Sequence, residues 1–276
     1  MARTASRTTG GIAETVKTLV YAILIALVIR TFLFEPFSIP SASMVPTLLI
    51  GDYLFVEKFS YGYSRWSFPF GVPLLPGPGR VLFRPPQRGD VVVFKLPCDF
   101  SRLPPDEADF RAHSCDPTTD FIKRIVGLPG DRVQMKDGLL YINDQLVPRQ
   151  RIDDYYYDEP YRPGDAGCAS GNYPQFLEAL PSEAKPHRMI KNCNVPQFDN
   201  TPVFTVPPDH YFMMGDNRDD SADSRDPRSG VGFVPSENLV GRAEFLFFST
   251  DGYASLFEPW KWPFTVRYAR LFSAIH

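Results

Sequence analysis

The sequence predicts a mainly β protein with a single N-terminal transmembrane helix and a peripheral β subdomain. Three observations predict it. Thr18–Ile29 reads TLVYAILIALVI without a charge, and apolar character resumes at Thr31–Phe34. Short runs of β-branched and aromatic residues follow, such as Tyr53–Phe59 and Asp90–Phe94. Proline is dense, 28 in 276 residues, and prolines at that density break helices and bound short strands.

The apolar run has three competing readings: a cleaved signal peptide, a buried core helix and an uncleaved anchor. EPFSIP stands where a small-x-small cleavage site would follow, which argues against the first. The anchor fits best. A helix over residues 18–34 spans about 26 Å, slightly short of a hydrocarbon core of about 30 Å. Arg30 interrupts it near one end, where its long stem can reach the headgroups. Arg3, Arg7 and Lys17 precede the run, against one acid, Glu14. The positive-inside rule then keeps residues 1–17 in the cytoplasm and exports everything after Glu35.

In the body, Tyr53–Phe59 reads as the first strand, and Asp90–Phe94 as a strand of the buried type. Residues 60–88 between them are rich in Pro, Gly and aromatics, including Trp66, Phe68 and Phe70. They are expected to protrude as a hairpin or loop. Phe121–Asp131 is a strand closed by the GLPGD turn, and Asp137-Gly138 marks the hairpin within Arg132–Asp144. Residues 149–200 are polar, Tyr- and Pro-rich and weakly periodic. The expected organisation is therefore a core of residues 35–131 and 206–276, with 132–205 as the peripheral subdomain. Glu258–Phe272, with Trp260, Trp262 and Phe264 among cations, fits either a closing strand or an interfacial segment.

Composition narrows the function. The net charge is −3 with no long basic run, which argues against nucleic acid as a partner. The four cysteines, Cys98, Cys115, Cys168 and Cys193, show no C-x-x-C, and the four histidines are scattered, so spacing builds no metal site. Four buried thiols or two disulfides both fit; an exported body favours disulfides. The shortest closures pair Cys98 with Cys115 and Cys168 with Cys193.

A Ser-His-Asp triad needs a well-placed histidine. His113, His187, His210 and His276 all lie in irregular, turn or terminal sequence. Pro40–Thr47 (PSASMVPT) offers instead two serines flanking one small residue, beside the membrane boundary. Lys123 sits in the apolar setting Phe121-Ile122-Lys123, where a lysine points either inward or, as on an edge strand, to water.

SASMVPTLLIGD, GDVVVFK, FIKRIVGLPGD and GDNRDDSADSR occur in this order after the anchor. Together with GFVPSENLVGRA (Gly232–Ala243) they closely resemble the type I signal peptidases, or leader peptidases. The resemblance does not extend to residues 60–88, the Cys98–Cys115 insert or most of 149–200. It implies a β catalytic core working by a Ser/Lys dyad without a metal or other cofactor. Ser43 matches the nucleophile and Lys123 the general base. Ser41 matches the hydroxyl that joins the Ser43 N–H in an oxyanion hole, and Ser221 the serine that orients the lysine amine. Asp223 and Arg225 match a structural ion pair, and Gly215 a close backbone approach. Phe37, Ile39, Met44, Leu48, Leu54, Val93 and Ile122 match the walls of the substrate pockets. Asp226–Gly230 (DPRSG) is a small insertion relative to the usual pattern.

The partners so implied are secretory preproteins cut after small-x-small sequences, the lipid bilayer, and the protein export machinery. Location in a bacterial-type inner membrane follows, with the catalytic domain on the periplasmic side. Self-cleaving repressors share the chemistry but need no anchor. A pilus-specific processing peptidase would have a narrower substrate range. A non-enzymatic scaffold would require Ser43 and Lys123 to be incidental.

Overall fold

The computed structural model describes residues 11–68, 79–98, 115–157, 171–191, 195–226, 230–251 and 257–276. Helix α1 spans Gly11–Phe32, 22 residues without a buried side chain. At 1.5 Å per residue it is about 33 Å long, enough for a hydrocarbon core. It therefore begins earlier and ends sooner than the apolar run suggests. Glu14 in its first turn and Arg30 in its last complement the helix dipole. Pro36 biases Glu35 toward extended backbone, so the chain leaves the helix and enters a strand at Phe34.

In chain order the strands are β1 (Phe34–Ser38), β2 (Asp52–Glu57), β3 (Val91–Lys95), β4 (Asp120–Gly127), β5 (Arg132–Lys136), β6 (Leu139–Ile142), β7 (Gln145–Leu146) and β8 (Arg149–Arg151). They continue as β9 (Tyr155–Tyr157), β10 (Gly171–Tyr173), β11 (Gln175–Glu178), β12 (His187–Ile190), β13 (Phe204–Thr205), β14 (His210–Met214), β15 (Phe233–Pro235) and β16 (Leu239–Ser249). The main sheet has seven strands in the order β1-β2-β16-β3-β4-β14-β15, and its paired neighbours run antiparallel. Pro36 is tolerated in β1 because that strand is an edge, where a missing N–H costs no ladder bond.

Sequence alternation places the core. On β2, Asp52, Leu54 and Val56 turn inward while Tyr53, Phe55 and Glu57 are only partly buried. Strand β3 is buried on both faces, as its unbroken Val91–Phe94 run requires. Val91 and Val93 pack with Leu54, Val56 and Leu246. Val92 and Phe94 join Ile125, Tyr211 and Met213 on the other side. The β5–β6 hairpin turns at Asp137 and Gly138, both with positive φ (49° and 71°), as a two-residue turn demands.

Residues 132–205 form small sheets, β13-β5-β6-β7, β12-β11-β8 and β10-β9. They are less separate than the sequence suggests. Val133, Met135 and Leu140 share one apolar cluster with Val126, Phe212 and Met214 of the main sheet.

Two stretches gain definition. Residues 60–68 turn inward, with Tyr61 and Phe68 buried and Trp66 packed against the core around Leu54, whereas Val81, Leu82 and Phe83 on the returning side are exposed. Arg80 ties the returning chain down through the carbonyls of Tyr61, Gly62, Ser236 and Leu239. Phe70 lies outside the described residues. The C-terminal stretch, open between a closing strand and an interfacial segment, forms a turn of helix, α2 (Trp262–Thr265), with single bridges Thr250–Val266 and Phe245–Ala274. Trp262 packs at a tilt against Phe248, whereas Phe257, Trp260 and Phe264 are strongly exposed. Cys98 and Cys115 form a disulfide. The expected Cys168–Cys193 pair lies outside the described residues.

Candidate active site

The loop between β1 and β2 carries Ser41 and Ser43, and β4 carries Lys123 opposite Val92 of β3. Lys123 and Arg124 alternate to opposite faces of β4. Lys123 Nζ lies 2.6 Å from Ser43 Oγ and donates to the Ile122 carbonyl at 3.1 Å. Both side chains are buried, Ser43 at 8% exposure and Lys123 at 3%. Burial pushes the lysine amine down to about 8, and the Asp223, Asp220 and Asp216 carboxylates offset part of that fall. The inward reading of Lys123 is the one realised. At pH 7.4 an amine of that pKa is neutral in about one molecule in five, against about one in a thousand for a free lysine.

The loop is held from below by residues 215–225. Asn217 donates its N–H to the Ser43 carbonyl at 3.1 Å and its side-chain amide to the Ala42 carbonyl at 3.3 Å. Asp216 bridges loop and base strand, accepting Thr47 Oγ1 at 2.5 Å and Arg124 at 2.7 and 2.8 Å. Burial alone would raise the Asp216 carboxyl, but the Arg124 guanidinium holds it below its usual value. Gly215 lies so close to Ser43 that an added Cβ would collide with the Ser43 carbonyl and Ser221 Oγ. Asp223 and Arg225 form a buried bidentate pair at 2.8 and 2.9 Å, and Asp223 also accepts the Gly215 N–H at 3.1 Å. Burial would raise the Asp223 carboxyl; Arg225 and these N–H donors keep it low.

Ser41 Oγ is 3.5 Å from Ser43 Oγ and exposed. Ser221 departs from expectation. Its hydroxyl is buried without a hydrogen-bond partner among the described residues, while the lysine amine contacts Ser43 and Ile122.

Beside the pair lies a cleft of about 380 Å³. Its apolar wall is Pro40, Ala42, Ile50, Phe121, Ile122 and Ala222, with Asp120 and Asp220 as acidic lining. Of the expected pocket walls, Ile122 lines this cleft. Phe37, Ile39, Met44, Leu48, Leu54 and Val93 belong with Ile122 to one apolar cluster but are not part of that lining. Met44, Leu48, Leu54 and Val93 are at most 2% exposed, so they back the wall as core. Sequence reasoning missed Ala42, Ile50 and Asn217. Only the fold reveals them, since small, aliphatic and amide side chains carry no chemistry of their own. Among the described residues no cluster of three His, Cys, Asp or Glu is arranged for a metal.

A serine hydroxyl against a buried, partly neutral amine, on a β body behind an apolar helix, defines the class of serine hydrolases with a lysine base. The sequence model of the family described as "Signal peptidase, peptidase S26" matches residues 12–248. Signal peptidase I of Rickettsia typhi is 38% identical over 257 residues, 91% of this chain and 85% of that one. Signal peptidase I of Rickettsia massiliae is 39% identical over 241 residues, 84% of this chain and 77% of that one. A solved signal peptidase I from Enterococcus faecalis aligns with TM-score 0.27 and 24% identity, over 58% of this chain and 97% of that one. The chain belongs to the signal peptidase family, peptidase S26, and is a serine endopeptidase that removes signal peptides from preproteins.

Proposed function

We propose that Ser43 is the nucleophile of this reaction and Lys123 its general base, cutting exported preproteins after small-x-small sequences. The observation that carries the reading is the 2.6 Å contact between Ser43 Oγ and a lysine amine whose pKa has fallen to about 8. With the amine neutral, Ser43 Oγ–H donates to Nζ and the proton passes to it as Oγ attacks the scissile carbonyl. The Ser43 N–H and the Ser41 hydroxyl donate to the developing oxyanion. The Lys123 ammonium then protonates the departing amine, which leaves an ester on Ser43. Neutral again, Lys123 takes a proton from water, which hydrolyses that ester and frees the serine.

The pairing of β4 with β14 ends at Arg124, so residues 120–123 have a partner strand on the β3 side alone. An extended substrate segment can add to that open edge beside Ser43. Ala42, Ile50 and Ile122 then leave room for small side chains before the cut. Gly215, Asp223, Arg225 and Asn217 hold the loop in place.

Helix α1 is the membrane anchor, with the N-terminus cytoplasmic and the body on the exported side of the inner membrane, where the export machinery delivers its substrates. The exposed Phe257, Trp260 and Phe264 are suited to rest against lipid. The test is cleavage of a purified preprotein by wild type, Ser43→Ala and Lys123→Met. Loss of cut product in both variants, with unchanged folding, supports the dyad. Near wild-type cutting by Lys123→Met would falsify it.

A further inference from the structure

Helix α1 runs to Phe32 and β1 begins at Phe34, so Leu33 alone joins them. A helix leaves its last carbonyls without partners of its own. Here the body supplies the donors. The Lys58 N–H donates to the Leu33 carbonyl at 2.9 Å, and Tyr63 OH to the Phe32 carbonyl at 2.9 Å. Lys58 Nζ reaches the Arg30 carbonyl at 3.4 Å. Glu35 on β1 bridges both sides, with Arg30 of the helix at 3.0 Å and Lys58 of the body at 2.8 Å. Lys58 is only 2% exposed, and a lysine is seldom buried so deeply unless paired. Phe32 meets the edges of Tyr63 and Phe68, and Phe34 those of Phe55 and Phe59. A tether that merely held the enzyme near the membrane would need none of these contacts.

We infer that Glu35, Lys58 and Tyr63 form a rigid joint that fixes the height and attitude of the catalytic cleft over the bilayer, and so act as positioning residues for membrane-inserted substrates. The inference rests on reading α1 as the anchor and the Ser43–Lys123 cleft as the active site. Beyond the joint, β1 leads directly into the loop that carries Ser43. The scissile bond of an inserted preprotein is itself held at a set depth. Fixing the enzyme at a matching depth removes orientational freedom that would otherwise be lost at each encounter. A flexible link of five residues would instead let the body wander by about 12 Å.

The test uses the full chain in vesicles with two substrates: a preprotein inserted in the same bilayer, and a soluble peptide spanning the same cut site. The variants are Glu35→Ala, Lys58→Ala, Tyr63→Phe, and a Gly-Gly-Ser-Gly-Ser insertion between Leu33 and Phe34. The insertion keeps the test decisive if removing the buried Lys58 prevents folding. The expected result is a fall of about tenfold or more in kcat/KM on the inserted preprotein, with soluble-peptide cleavage within about twofold of wild type. Unchanged cleavage of the inserted preprotein by the insertion variant overturns the inference. So does an equal loss on both substrates, which would make the joint a support of the fold. Soluble-peptide cleavage by Ser43→Ala beside wild type reports separately on the Ser43–Lys123 reading.

Discussion

Lys123 Nζ sits 2.6 Å from Ser43 Oγ across 80 residues of sequence, inside an apolar wall that keeps the amine partly neutral. With Ser43 and Lys123 read as the dyad, that relationship predicts the pH response and the stability cost of the site.

The rate should follow the neutral amine. With the lysine at about 8, kcat/KM on a soluble peptide should rise about tenfold per pH unit below that value and level off above it. Initial rates from pH 6 to 10 measure this. A profile flat across the range would exclude a lysine base.

The same burial destabilises the fold. The folded-state lysine, at about 8, lies below its unfolded value near 10.5. Below pH 8 both states are protonated and the folded protein carries the whole penalty, about 3 kcal/mol. Between pH 8 and 10.5 the unfolded state binds more protons, so the penalty fades as pH rises. Lys123→Met should therefore be more stable than wild type at pH 7, by about 1–3 kcal/mol once the lost hydrogen bonds are counted, and by pH 10.5 the order should reverse by about the worth of those bonds. Denaturant unfolding of the full chain in detergent at the two pH values reads both effects.

Gly215→Ala should lower kcat about a hundredfold, because the new methyl displaces the Ser43 carbonyl and a misplacement of about 1 Å carries that cost. KM should change far less than kcat. A variant that folds and turns over normally would show that the loop has slack the packing does not suggest.

Ile122 and Ile39 should part company. Ile122 lines the cleft, so Ile122→Ala should admit larger side chains at the third, or the first, position before the cut. Selectivity should change by about 1–3 kcal/mol, the worth of a few methylenes. Ile39 is buried core, so Ile39→Ala should lose about 2–5 kcal/mol of stability and leave the cut site unchanged. Mass spectrometry of products from preproteins with Val or Leu at those positions decides both. Broadened cutting by Ile39→Ala alone would reverse the assignment.

Local signals in the sequence determined the mainly β body, the apolar helix and the identities of the candidate dyad. Apolar runs, turn residues and motif blocks act over a few neighbours, so they are written where they are used. The β3 run and the Asp137-Gly138 turn were legible in this way. Only the tertiary structure decided that Lys123 turns inward, since a lysine on a strand is equally compatible with water until its neighbours are placed. It also turned Trp66 and Phe68 into the body, because an aromatic's apolar surface goes wherever a partner face exists. The run Asp216–Arg225 is dense in charge. Asp216 and Arg218 are buried in it because their partners, Arg124 and Glu178, come from distant strands. Ala42 and Ile50 became wall residues, and most of the expected wall became core, for the same reason: exposure is a property of the assembled surface.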